Sequence, residues 1–156
     1  MSEVTVLTLP PLALAGLFHR GPYEQLGDAF AELVQWAEAN NAFRPDTRVF
    51  SIGYDNPALV AAQDLRAHAC MTLPAGMVPN GVVEPVSLAG GRYATLVHRG
   101  PYSELGQAHA WLNGQWLPAS GERRGEGPCS EEYLNDCRVL PPEQWLTRIH
   151  LPLAGA

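Results

Sequence analysis

Along the chain, apolar positions alternate between two rhythms, and the alternation occurs twice. VTVLTL and ALAGLFH are short runs of β-prone residues, followed by a stretch in which Leu26, Phe30, Leu33 and Ala37 recur at helical spacing. Gly21-Pro22 turns the chain into that helix, since proline suits a first helical position, and Asn40-Asn41 offers a stop. RVFSIGYDN and LRAHACMTLP then return to a strand rhythm. The later half runs VVEPVSL, a Gly90-Gly91 turn that signals a hairpin, RYATLVH, a helix whose inner face carries Leu105, His109, Leu112 and Trp116, and the strands CSEEYLNDC and WLTRIHLPL.

The two halves share letters as well as rhythm. HRGPY stands at residues 19 to 23 and again at 98 to 102, an offset of 79. Around it, FHRGPYEQLGDAFAEL and VHRGPYSELGQAHAWL are identical at ten of sixteen positions. The same offset without a gap pairs Val4 with Val83, Leu7 with Val86 and Tyr54 with Tyr133; one residue less aligns Met71–Pro74 with Ile149–Pro152. The 156 residues thus read as a single domain of two units, about 1–76 and 80–154, joined by AGMVPNG. The expected fold is α+β: two modules of hairpin, helix and two strands, related by a pseudo-twofold axis, in a curved antiparallel sheet with one helix per half and a groove at the seam. HRGPY then marks a strand-to-helix corner needed once per unit. Gly21 and Gly100 could instead present helix N-termini to a phosphate, but no Lys or Ser/Thr follows in a phosphate-loop pattern. His19 and His98 read as corner residues bonded to backbone.

Composition narrows the function classes. A formal charge of −6 argues against a nucleic-acid backbone as partner, and no stretch approaches the ~20 apolar residues of a membrane span. The N-terminus lacks a basic leader region, which points to the cytoplasm. Cys70, Cys129 and Cys137 are odd in number without CxxC spacing, and read as small buried hydrophobes. The five histidines show no metal-ligand spacing, so neither metal nor cofactor is expected.

In a duplicated scaffold, what one copy alone possesses needs its own reason. On the gapless alignment Phe50, Ile52 and Tyr54 oppose Cys129, Glu131 and Tyr133, which places an acid where its sister strand has an aliphatic. Such a carboxylate either finds a cation or stays protonated, and both outcomes mark functional sites; the bland alternative is a salt bridge to Arg123, Arg124 or Arg148, or exposure by a bulge. Glu132, with Ser130 on the opposite face, reads as solvent-facing. Trp111, opposite Glu32, falls off the core stripe, suited to covering PASGERRGEG, a pocket rim or another subunit. His109 takes the place of Phe30, where a lone histidine is usually just hydrogen-bonded.

The duplicated HxGPY corner, GYDNP at 53–57 followed by LRAHACMTLP, and PCSEEYLND with TRIHLPL resemble the GyrI-like small-molecule-binding family. That family includes the gyrase inhibitor protein of enteric bacteria and the effector-binding domains of AraC-type and MerR-type regulators. The resemblance implies tandem SHS2 modules with a ligand groove at their junction. The family's pattern of aromatic, Glu, any residue, Tyr falls on Glu131 and Tyr133, with Ser130 in place of the usual aromatic. In the regulators that glutamate binds lipophilic cationic drugs, and in a hydrolase branch it acts on strained cyclopropane-containing compounds. Three readings follow. The first is a stand-alone binding module for a lipophilic, cationic small molecule, lined by Glu131, Tyr133, Tyr54, Trp111 and Tyr102. The second is a hydrolase with Glu131 as general base and Tyr133 or Tyr54 steering the leaving oxygen. The third is a protein inhibitor of DNA gyrase. Any regulatory role would act through a partner such as gyrase or a transcription regulator.

Overall fold

The computed structural model describes residues 3–155. It is α+β, and the chain divides into two compact units: an N unit, Pro11–Ala89, and a C unit, Met1–Pro10 with Gly90–Ala156. The N unit contains β2 (Leu12–Arg20), α1 (Leu26–Ala39), β3 (Val49–Gly53), β4 (Arg66–Met71) and β5 (Val83–Leu88). The C unit contains β1 (Val4–Leu9), β6 (Gly91–Arg99), α2 (Leu105–Trp111), α3 (Leu117–Ser120), β7 (Cys129–Tyr133) and β8 (Leu146–Pro152). Between α2 and α3, residues Leu112–Trp116 form a π-helical turn, so the segment runs as one helix with a bulge. Among the described residues, no helix is long and apolar enough to cross a membrane.

Each unit is a four-stranded antiparallel sheet, ordered β5-β2-β4-β3 in one and β1-β6-β8-β7 in the other. The expected hairpins do not form. Instead β1 pairs with β6, Val4 opposite Leu96, and β5 pairs with β2, Leu12 opposite Leu88. A two-residue hairpin turn needs positive φ, which proline cannot adopt, so Pro10-Pro11 forbids folding β1 back onto β2. The repeat in sequence and the compact unit in space therefore differ by exchange of the first strand.

On one face of the N unit, Ala15, Leu17, Ala69 and Met71 pack against Ala29, Leu33 and Ala37 of α1. Its other face carries Leu14, Phe50, Ile52, Cys70 and Leu88. In the C unit Ala94, Leu96, Ile149 and Leu151 pack against Leu105 and Leu112. Burying each such leucine is worth about 1.5–3 kcal/mol. The HRGPY corners behave as turns. Gly21 and Gly100 have φ of 135° and 142°, a region open to glycine, and their amides donate to Leu65 O at 2.8 Å and Trp145 O at 2.9 Å. His19 Nε2 bonds Pro22 O at 3.1 Å. His98 Nε2 instead lies 3.2 Å from Glu104 Oε1, close enough for an ion pair though off a hydrogen-bond axis.

Those corner bonds show where the repeat changes step. Gly21 and Gly100 are 79 positions apart, but their acceptors, Leu65 and Trp145, are 80 apart. Downstream the spacing stays at 80: Tyr54 N donates to Arg66 O and Leu134 N to Leu146 O, both at 3.0 Å. Each helix ends on a residue of positive φ, Asn41 (53°) and Gly121 (80°), also 80 apart. The extra residue therefore lies inside the second helix, where the π-helical turn absorbs it. This corrects both downstream alignments made from sequence. Tyr54 corresponds to Leu134 and Tyr133 to Gly53, while Met71 corresponds to Leu151, because Met71 pairs with Ala15 and Leu151 with Ala94.

Candidate functional site

The corrected register changes the neighbours of Glu131. It pairs across the sheet with Ile149, a residue of the helix-facing core, so it projects on the same side as α2. Its counterpart is Ser51, opposite Ala69 in the N unit, and not Ile52. Ile52 corresponds to Glu132, on the other face. Glu132 is not solvent-facing as expected: it is buried beside Ser130, with Arg148 Nη1 at 3.6 Å from Oε1. The acid standing in an isoleucine's place is thus Glu132.

Glu131 nonetheless lies at the centre of a cluster. His109 Nε2 and Glu131 Oε2 are 2.7 Å apart, and Tyr133 Oη donates to Oε1 at 3.0 Å. The carboxylate side chain is 19% exposed and the imidazole 26%, so the pair is sheltered yet reachable. Among the ion pairs described, its cation is a histidine on the helix, and of the three arginines expected from spacing Arg148 meets Glu132. Burial alone would depress His109, but hydrogen bonds to Cys129 and Glu131 and the charge of Glu131 prevail, and its pKa is raised to about 9. At pH 7 the ring is therefore held as imidazolium beside Glu131.

Aromatic rings border the pair. Tyr102 lies 5.2 Å from Tyr133 and 4.3 Å from Trp145, centroid to centroid, and Trp145 Nε1 donates to Leu140 O at 2.9 Å. The Tyr102 hydroxyl is pushed up, first by burial and then by the charges and hydrogen bond of Cys137, with Asp136 and Glu131 adding to it. Trp111 does not project off the core; it is half-buried against the C-unit cluster, as are Trp116 and Cys129. Cys70 is buried as expected, but Cys129 is half-buried and Cys137 exposed, and all three are free thiols.

Of the five candidate residues, the structure brings Glu131, Tyr133 and Tyr102 together. Tyr54 lies on the face of the N unit away from α1, packed against Phe50, Ile52 and Cys70. Its hydroxyl bonds His68 Nδ1 at 2.6 Å, His68 Nε2 is 2.8 Å from Glu84 Oε2, and burial with the nearby Cys70 and Glu84 pushes the phenol up to about 12. His109 and Trp145 are the members that sequence reasoning missed; His109 in place of Phe30 was the available signal. A depression of about 380 Å³ lies on the other face of the C unit among Glu3, Thr5, Leu7, Thr95, Val97 and Arg148, without an aromatic residue to stack a flat ligand.

Comparison with known proteins gives the family and the fold. The chain is 32% identical over 156 residues to the DNA gyrase inhibitor of Edwardsiella piscicida, covering 97% of each protein. Its fold is that of the EcmrR C-terminal domain (TM-score 0.79, 14% identity, 100% of this chain and 99% of that one). It is also similar to SAV2435, solved bound to tetraphenylphosphonium (TM-score 0.60, 14% identity, 98% and 94% covered). The profile of the GyrI-like small molecule binding domain matches residues 2–154, and the chain belongs to that family.

Proposed function

We propose that the chain binds a lipophilic, aromatic cation on the helix face of the C unit, with Glu131 supplying the charge and Tyr133, Tyr102 and Trp145 the flat surface. The observation that carries this reading is a sheltered carboxylate, held by His109 and Tyr133, beside a row of rings packed at a tilt. Each cation-ring contact contributes about 0.5–2 kcal/mol, more as water is excluded. The tetraphenylphosphonium carried by the structural relative SAV2435 is a probe of this chemistry.

Binding is favoured over hydrolysis by the state of the carboxylate. Both Glu131 oxygens already face donors, an arrangement that stabilises the anion and weakens it as a base. Calorimetry with tetraphenylphosphonium at pH 8 tests the reading. Glu131→Gln should weaken binding about tenfold or more, a step of about 1.4 kcal/mol; equal affinity in both proteins would refute the charge role. The relative from Edwardsiella piscicida favours a second reading, inhibition of DNA gyrase by the protein itself. A supercoiling assay with no effect at stoichiometric excess would remove it.

A further inference from the structure

The charge of Glu131 is already answered from within the chain. Its two oxygens face different donors, and of these only His109 can carry a positive charge. The titratable groups acting on His109 are Cys129 and Glu131, both on β7. Tyr133 reaches it through the shared carboxylate, and Tyr102, in the turn before α2, feels the same charge. An aromatic cation brought to Glu131 would lie within a few ångströms of the imidazolium, and two like charges on one carboxylate repel.

We propose that His109 is the specificity-determining residue of the site, an internal counter-ion that admits neutral lipophilic molecules while protonated and must lose its proton when a lipophilic cation binds. The inference rests on the reading of Glu131 as the ligand carboxylate. In the N unit the same helical position is Phe30, an uncharged ring of similar size, so the scaffold accepts an aromatic side chain without charge there. Binding of a cation is then a proton exchange. Below the pKa of the ring, about 9, cation affinity should rise about tenfold for each pH unit and level off above it. A neutral ligand should show no such slope.

Calorimetry from pH 6 to 10 tests this, using tetraphenylphosphonium as cation and triphenylphosphine oxide as neutral probe, each in two buffers of different ionisation enthalpy. The expected result is a tenfold-per-unit rise and one proton released per tetraphenylphosphonium, with neither for the oxide. His109→Phe and His109→Gln should bind the cation with no pH slope and no proton release. A flat wild-type profile whose affinity still depends on Glu131, or a slope that survives in both His109 variants, overturns the inference alone. Absence of tetraphenylphosphonium binding at every pH, or binding indifferent to Glu131→Gln, overturns the site reading and this inference with it.

Discussion

The N and C units share a corner, a helix and four strands, yet on the helix side of the sheet they present different chemistry. In the N unit that surface carries Phe30, Ser51 and Gly53. A Cβ on Gly53 would lie 3.3 Å from Tyr23 Oη, so the glycine lets the corner tyrosine lie flat and bond Asp55 O and Arg66 O at 3.0 Å each. In the C unit the same positions carry His109, Glu131 and Tyr133. Tyr133 fills the space the glycine leaves, and the corner tyrosine, Tyr102, stacks on Trp145 where the N unit has Leu65. Four differences in one place convert a closed corner into a charged, aromatic surface. The two units thus share a frame and differ in the side chains on one face.

The comparison can be broken where it is strongest. Leu33 and Leu112 are equivalent and almost fully buried, at 2% and 0% exposure. Leu33→Ala and Leu112→Ala should each cost about 2–5 kcal/mol in chemical denaturation. A small loss for one alone would show that the two cores are not equivalent.

A smaller effect separates the units by pH. His109 has a folded pKa of about 9, above its ordinary 6.5. Because the folded value is raised, the pair's stabilisation is complete below about pH 6.5 and is lost as pH climbs through about 9, in total on the order of 3 kcal/mol. Urea denaturation at pH 6 and pH 10 should show that loss in the wild type and not in His109→Phe. The corner tyrosines give the least. Tyr23→Phe removes a hydroxyl bonded to backbone and should cost about 1–2 kcal/mol, whereas Tyr102→Phe, whose hydroxyl bonds only Cys137 among the contacts described, should cost about 0.5–1 kcal/mol in the same assay.

Sequence revealed the α+β character and the turn at each HRGPY because these are local: a glycine at positive φ and a helical stripe are written where they act. Strand partners are not. That β1 joins β6 depends on a pairing across some ninety residues, and Pro10-Pro11 was the sole local hint against the hairpin. The π-helical turn was the costlier omission. A one-residue slip in a strand moves every side chain to the other face, so the gapless alignment compared Glu131 with Ile52 and Tyr133 with Tyr54, where the structure sets Ser51 and Gly53 opposite them. What sets Glu131 apart from its sister strand is the difference from Ser51.

Nuclear magnetic resonance mapping of tetraphenylphosphonium on the labelled protein tests the central claim most directly. The account predicts shifts centred on His109, Glu131, Tyr133, Tyr102 and Trp145, with their counterparts Phe30, Ser51, Gly53, Tyr23 and Leu65 undisturbed. Equal shifts at both sets, or shifts confined to the counterparts, would contradict it.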